Sequence, residues 1–150
     1  MIKKLKDSIK NQLTQGATPE KLAQSLSAGI LIGCFPLIGF ATGLAAVFGI
    51  ILKLNHIVVQ TANYMMYPVQ IVLIPVYIKV VSLIVDVGDV PIRPDLILEA
   101  FRADWVIFFK TYALIGLYAV ILWIIVSSIL FMILPKAFLP AIKKLNQLKG

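Results

Sequence analysis

The sequence predicts an all-α integral membrane protein, a small helical bundle in which proline interrupts two of the hydrophobic elements. Three stretches carry no Lys, Arg, Asp or Glu, and they are Leu22–Leu52, Leu54–Ile78 and Thr111–Pro135. Each is longer than the roughly 20 apolar residues that a helix needs to cross the hydrocarbon layer of a bilayer. Hydrophobic residues make up 60% of the 150 and charged residues 14%, and a soluble domain of this size cannot bury so much apolar surface.

Length, cysteine content and charge limit the domain organisation, the kinds of site and the partners that the protein can have. The length allows one membrane domain and no separate soluble domain. The single cysteine, Cys34, excludes an internal disulfide bond and a cysteine-based zinc cluster. The net charge is +7, but the lysines stand in short runs beside the hydrophobic stretches and form no face that could follow nucleic acid. We therefore expect membrane lipids with anionic headgroups as partners, and no nucleic acid.

Both ends of the chain are basic and amphipathic. Residues 1–15 place Ile2, Leu5 and Ile9 on one side of a helix and most of the lysines on the other. This pattern is typical of a helix that lies in the headgroup layer. Residues 136–149 repeat the pattern. We expect both terminal segments to be amphipathic and to lie at the membrane surface.

The first hydrophobic element, residues 19–52, has predicted helix breaks at Gly33, Pro36 and Gly39. Proline inside a helix removes a hydrogen-bond donor and clashes with the preceding turn, and glycine allows a sharp change of direction. Each half of the element is short for a full crossing. Two architectures fit: a kinked single span, or a re-entrant hairpin that enters and leaves the bilayer on the same side.

The remaining elements are two spans and the link between them. Residues 57–85 form a span that we expect to break at Pro68, and residues 111–134 form a regular transmembrane helix that we expect to end at Pro135. Residues 94–104 between them are predicted to be an amphipathic link.

The distribution of charge favours one topology. Lys and Arg concentrate before residue 22 and after residue 135, whereas Asp86–Asp104 carries five acidic residues. The positive-inside tendency places both termini in the cytoplasm and the acidic link outside, which requires an even number of crossings. We therefore expect residues 19–52 to be a re-entrant hairpin and residues 57–85 and 111–134 to be the true spans. The alternative is three spans with a kink at Pro36.

No catalytic constellation is visible in the sequence. The one histidine, His56, follows Lys53 in an interfacial turn, and the carboxylates stand in the predicted outside link. The glycine-rich stretch lacks the lysine that a phosphate-binding loop requires. We expect no catalytic residue, no metal site, no cofactor and no enzymatic activity.

Pairs of glycines recur at a spacing of one helical turn. Gly29 and Gly33 form one pair, and Gly39 and Gly43 form the other. Small residues in such rows let two helix backbones approach closely in a membrane. Both pairs therefore predict close helix contact.

Polar side chains follow the second hydrophobic element at helical spacing, and His56 lies at their start. On an unbroken helix they fall within a stripe about 100° wide. Amides inside hydrocarbon need protein partners or water, because an unsatisfied polar group there costs several kcal/mol. Two roles fit the stripe: interhelical bonds of about 0.6–2 kcal/mol each, or a polar groove beside the breaks at Pro36 and Pro68. For the groove, the candidate substrate-binding residues are Gln60, Asn63, Tyr67, Gln70 and Tyr77.

A family resemblance rests on motifs that include these breaks. They are Gly29-x-x-x-Gly33-x-Phe35-Pro36-x-x-Gly39-x-x-Thr42, Leu52-Lys53-Leu54-Asn55, Asn63-Tyr64, Tyr67-Pro68 and Pro75-x-Tyr77. Together they resemble a widespread bacterial membrane family known as domain of unknown function 2062, over roughly residues 16–85. The family usually has Asn where this chain has Tyr67. The resemblance implies a bacterial inner-membrane protein, and the fusion of some relatives to glycosyltransferase domains implies a link to lipid-linked sugar metabolism.

Two functions fit these features. In the first, the protein transports or flips a small solute or lipid-linked headgroup past the polar stripe. A unit of three or four helices is too thin to enclose a passage alone, so this function requires a homo-oligomer. In the second, the protein is a non-catalytic membrane scaffold or accessory subunit for a glycosyltransferase or another cell-envelope enzyme.

The topology predicts a labelling pattern for single cysteines placed at Ile2, Leu54, Val90 and Leu148. If residues 19–52 re-enter, an impermeant thiol reagent reaches positions 2, 54 and 148 from the cytoplasm and position 90 from outside. Three full crossings would instead place position 54 outside and position 90 inside.

Overall fold

The computed structural model describes residues 18–85 and 94–147, and within these ranges it contains helices and no strand. The helices are α1 (Pro19–Gly33), α2 (Ala41–Ile51), α3 (His56–Met65), α4 (Tyr67–Ile84), α5 (Pro94–Ala103) and α6 (Trp105–Gln147). The all-helical prediction is confirmed for these residues. The helix predicted over residues 1–15 lies outside the described residues.

The start of α1 follows from its sequence. The Thr18 side chain accepts a hydrogen bond from the Lys21 amide at 3.2 Å, and Pro19 occupies the first turn, where its missing N–H costs nothing. The helix then runs without a break to Gly33.

α1 and α2 form a helical hairpin whose tip is the non-helical segment Cys34–Phe40. Within the tip, Gly39 has a φ of +90°, a conformation that glycine adopts without strain. At the open end, the ammonium group of Lys21 donates a hydrogen bond to the Leu52 carbonyl over 3.1 Å. The chain thus returns to the level at which α1 begins, and it is interrupted where Gly33, Pro36 and Gly39 predict.

The second predicted element is also interrupted, at Met66, so that α3 and α4 are separate helices. Asn55 caps α3, because its side-chain oxygen accepts from the Val58 amide at 3.1 Å. Pro68 stands in the first turn of α4, which confirms the break predicted there. Pro75 lies inside α4 without ending it.

α1 packs closely along α3 through Gly29 and Gly33. A Cβ atom on Gly29 would overlap the Val59 carbonyl oxygen and lie 2.6 Å from the Ala62 Cβ, and one on Gly33 would lie 2.6 Å from the Met66 Cβ. The two helices run in the same direction, and their backbones touch. The close helix contact predicted for this glycine pair is confirmed.

The second glycine pair makes no such contact within the chain. A Cβ atom on Gly39 or Gly43 would meet no atom within 4 Å, and both residues are exposed. The prediction of close contact was wrong for this pair in the single chain, because the hairpin turns this face of α2 outward.

α6 is one helix of 43 residues that runs antiparallel to α1. The sequence predicted a helix end at Pro135 and a separate tail, and this was wrong, since α6 continues through Pro135 and Pro140. Proline in a helix interior costs about 3 kcal/mol. The turns that follow contact α1, and Lys143 forms an ion pair with Glu20 at 3.1 Å, but both side chains are half exposed and such a pair contributes too little to offset this cost alone.

The pKa of Glu20 reflects this position. A backbone hydrogen bond to the Glu20 carboxylate, followed by the hydrogen bond from Lys143, lowers its pKa below the ordinary value. The carboxylate therefore stays ionised at neutral pH, and the ion pair persists there.

The apolar core joins the hairpin to α6. The Phe35 and Trp123 rings meet edge to face at 4.9 Å, and the small side chains of Ala28 and Ala45 are buried beside them. Farther along α6, Val81 of α4 is buried against Ile115 and Ala119.

Two helices are long and apolar enough to cross a membrane. They are Tyr67–Ile84 and Trp105–Leu145, with mean hydropathies of 1.8 and 2.7. In each, only 11% of the apolar window is buried inside the protein. Large apolar side chains on α2 are exposed as well, for example Phe40 at its start and Ile50 near its end. An exposed apolar surface of this extent requires an apolar surrounding or a partner.

The contact between α1 and α3 predicts opposite effects of two matched substitutions. Gly29→Ala forces the two backbones apart and lowers the free energy of unfolding by about 1–3 kcal/mol. Gly116→Ala on α6 meets only an ordinary contact, the Leu37 side chain at 3.5 Å, and raises it by up to about 1 kcal/mol, because alanine favours the helix. Thermal unfolding of the purified protein in detergent measures both, and equal effects of the two substitutions would contradict the close contact.

Candidate polar pocket at the hairpin tip

The hairpin tip places backbone polar groups in the middle of the bundle. The segment Cys34–Phe40 is not helical, so carbonyl groups at the end of α1 lack their usual partners four residues later. The tip lies beside Trp123, close to the middle of the apolar length of α6. Each carbonyl left without a donor in an apolar surrounding would cost several kcal/mol.

Two side chains of α4 donate hydrogen bonds to the tip. The Gln70 amide nitrogen donates to the Phe35 carbonyl over 2.7 Å, and the Tyr77 hydroxyl donates to the Cys34 carbonyl over 2.9 Å. Gln70 is almost completely buried, at 2% exposure. Both residues belong to the predicted polar stripe, so here the stripe provides interhelical hydrogen bonds.

α6 supplies a third donor, which sequence reasoning missed. The Trp123 indole N–H donates to the Leu31 carbonyl over 2.8 Å. The signal available in the sequence was a tryptophan inside an uncharged span, since a buried indole N–H usually finds an acceptor.

The hairpin mouth has a polar contact that sequence reasoning also missed. The Ser25 hydroxyl donates to the Lys21 carbonyl over 2.7 Å and accepts from the Asn55 amide at 2.8 Å. This bond fixes the start of α3 against α1. Ser25 and Asn55 are 30 residues apart, so no local pattern relates them.

Gln60 and Asn63 on α3 keep amide oxygens free. The Gln60 nitrogen donates to the Thr42 carbonyl of α2 over 3.2 Å, whereas its buried oxygen has no hydrogen-bond partner among the described residues. The Asn63 oxygen likewise has no partner in the described part of the chain, and Asn63 is only 4% exposed. Such a group costs about 1–3 kcal/mol unless something from outside the chain satisfies it.

Asn63 lines a cavity of about 140 Å³ between the tip, α2 and the α3–α4 break. The lining residues are all uncharged, and they are Ile38, Gly39, Ala41, Thr42, Asn63, Tyr64, Tyr67 and Gln70. We call this cavity the tip pocket.

The predicted stripe is thus divided between two roles. Asn63, Tyr67 and Gln70 line the tip pocket, and Gln60 borders it through Thr42. Tyr77 holds the tip by its bond to Cys34 and does not line the pocket. His56 lies apart, with its imidazole against Gly49.

A second, larger cavity of about 320 Å³ lies between α1, α2 and α6. Its polar lining consists of the hydroxyls of Ser127 and Ser128 and the edge of Trp123, and the other lining residues are apolar. Within residues 18–85 and 94–147, no group of three His, Cys, Asp or Glu residues could hold a metal ion.

Comparison with known proteins gives one match. A family model described as an uncharacterized protein conserved in bacteria (DUF2062) matches residues 2–147, essentially the whole chain. This extends the resemblance that the motifs indicated over roughly residues 16–85. No curated protein and no solved structure matches the chain.

The buried bond to the tip predicts a stability effect. Gln70→Leu keeps the size of the side chain but leaves the Phe35 carbonyl without its donor, so we expect the free energy of unfolding to fall by about 1–3 kcal/mol. Gln24→Leu is the matched control, because the half-buried Gln24 amide makes no hydrogen bond in the described structure. Thermal unfolding in detergent compares the two, and equal losses would contradict a specific role of the bond.

Proposed function

The chain belongs to the DUF2062 family of bacterial proteins, and from this premise we propose that it is an integral inner-membrane protein. We further propose that it binds the polar part of a small solute or lipid-linked headgroup in the tip pocket and moves it across the bilayer. The observation that carries this proposal is the Asn63 amide, buried, unpartnered among the described residues and facing a pocket beside a break in the helices.

The exposed apolar surfaces support the membrane location. α4 and α6 are long enough to span, and few of their apolar side chains are buried by the rest of the chain. Lys21, Lys53 and Lys143 stand at the end of the bundle that holds the hairpin mouth, and we propose that this end faces the cytoplasm.

The hairpin geometry supports re-entry of α1 and α2. α1 has 15 residues and α2 has 11, which correspond to about 22 Å and 16 Å of helix, less than the roughly 30 Å hydrocarbon layer. The mouth is closed by the bond between Lys21 and Leu52, and the tip lies beside Trp123. Non-helical backbone at membrane depth is tolerated where protein surrounds it, and the donors Gln70 and Tyr77 meet that condition.

Transport requires more than one copy of this chain. The bundle is thin, and α2 leaves Gly43, Val47 and Ile50 exposed. A second copy packed on this face would enclose the pocket side of the hairpin, so we propose a homo-oligomer.

A non-catalytic scaffold for a membrane enzyme is the alternative function. The open space around Gly39 and Gly43 favours it, because a helix of another protein could approach the hairpin there. A scaffold needs no route by which water reaches the tip pocket from either side of the membrane.

Access of water to the tip pocket tests the proposal. Two variants carry a single cysteine, one at Thr42 and one at Tyr67, in a protein whose native cysteine is removed by Cys34→Ala. Each variant is reconstituted into proteoliposomes, and an impermeant maleimide is applied from each side. A passage predicts reaction of both positions from both sides, because the pocket must open to each in turn.

Two further positions serve as controls. Ile125→Cys on α6 is exposed on the apolar surface that would face lipid and should not react, and Lys53→Cys should react from the cytoplasmic side alone. Lys53 is preferable to Leu54 as a reporter, because Leu54 is 7% exposed. Failure of Thr42→Cys and Tyr67→Cys to react from either side would refute transport and favour the scaffold.

A further inference from the structure

We propose that the ligand of the tip pocket is a small uncharged group whose hydroxyl or amide N–H groups donate hydrogen bonds. This inference rests on the proposed function, because it names the chemical class that the same pocket accepts.

The lining of the pocket excludes an ion on electrostatic grounds. Its polar members are Thr42, Asn63, Tyr64, Tyr67 and Gln70, and none carries a charge at neutral pH. An ion transferred into an apolar surrounding without a counter-charge loses its hydration and gains no compensating partner. A phosphate or carboxylate is disfavoured for this reason, and so is an ammonium group.

The backbone carbonyls at the tip do not supply a cation site. A metal cation needs several oxygen ligands at once. The Cys34 and Phe35 carbonyls already accept hydrogen bonds from Tyr77 and Gln70, and the Thr42 carbonyl accepts one from Gln60. The oxygens that remain belong to neutral amide and hydroxyl groups, and no carboxylate stands among the lining residues to balance the charge of a cation.

The free hydrogen-bonding groups match a neutral donor. The Asn63 oxygen has no partner among the described residues and almost no exposed surface, so it accepts a hydrogen bond from the ligand once the amide of this lining residue turns toward the pocket. The hydroxyls of Thr42 and Tyr67 line the same pocket and can each donate or accept. A hydroxyl of the ligand both donates and accepts, so neighbouring hydroxyls on one small molecule can satisfy all three groups together.

The volume sets the size of the ligand group. A cavity of about 140 Å³ corresponds to roughly four or five water molecules in the liquid. A three-carbon polyol such as glycerol, or a headgroup of that size, therefore fits, and anything much larger requires α2 to move.

Permeation of one neutral probe and two smaller charged probes tests the class, because an ion smaller than glycerol cannot be excluded by size. Proteoliposomes that contain the full chain are exposed to gradients of glycerol, formate or methylammonium, and swelling is followed by light scattering. We expect glycerol to enter faster than into empty liposomes, and the two ions to enter no faster than into empty liposomes.

Substitutions connect the flux to the pocket. Asn63→Leu should lower glycerol flux about tenfold, the effect of losing one hydrogen bond. Tyr67→Phe should lower the glycerol flux less. Tyr67 is half exposed, so this variant should fold normally and still tests the pocket if Asn63→Leu unfolds the protein. Gln24→Leu, away from the pocket, should leave the flux unchanged.

A second readout separates this inference from transport itself. Glycerol that occupies the pocket should slow maleimide labelling of Thr42→Cys, whereas formate and methylammonium should not. Protection by glycerol without flux would uphold the ligand class and refute transport. The ligand class would be overturned if either ion slowed the labelling or crossed the membrane, or if water entered but glycerol did not. Labelling of Thr42→Cys from both sides would in that case still support a passage.

Discussion

The carbonyl oxygens of Leu31, Cys34 and Phe35 each accept a hydrogen bond from a side chain of another helix. The rest of the fold depends on these three bonds, because they allow a non-helical turn to lie beside the middle of a long apolar helix. The Leu31 carbonyl also accepts from the Cys34 amide at 3.2 Å, but without Tyr77 and Gln70 the Cys34 and Phe35 carbonyls would lack a donor among apolar side chains. The two donors on α4 are therefore the ones that the non-helical turn requires most.

The same requirement explains why the polar stripe of the second element is not uniform. The break at Met66 separates α3 from α4 and lets each helix direct its polar side chains to a different target. On α4, Gln70 and Tyr77 are used for the tip. On α3, Gln60 and Asn63 retain acceptors, and a polar pocket forms where the two helices meet the tip. The polar residues of one continuous sequence stripe thus supply both the hydrogen bonds that hold the tip and the amide oxygens that have no partner among the described residues.

Much of this arrangement was predictable where its cause is local. Pro36, Pro68 and the flanking glycines act on the backbone within a turn, so the interruptions could be placed from the sequence. The helical spacing also identified Gln70 and Tyr77 as polar groups in need of partners. The partners themselves could not be predicted, because the carbonyl that each side chain reaches depends on how the tip folds. The continuation of α6 beyond Pro135 likewise has no local signal in the sequence, because proline there predicts a helix end.

The attachment of the hairpin limits how the protein can change shape. α1 is held at its base by Ser25 and along its length by the glycine contact with α3, and the tip is held by three side chains. Two side-chain hydrogen bonds hold α2: Gln60 reaches its first turn, Lys21 reaches the Leu52 carbonyl at its end, and much of its surface is exposed. α2 and the glycine turn at residue 39 are accordingly the part of the hairpin in which a change of shape would break the fewest hydrogen bonds.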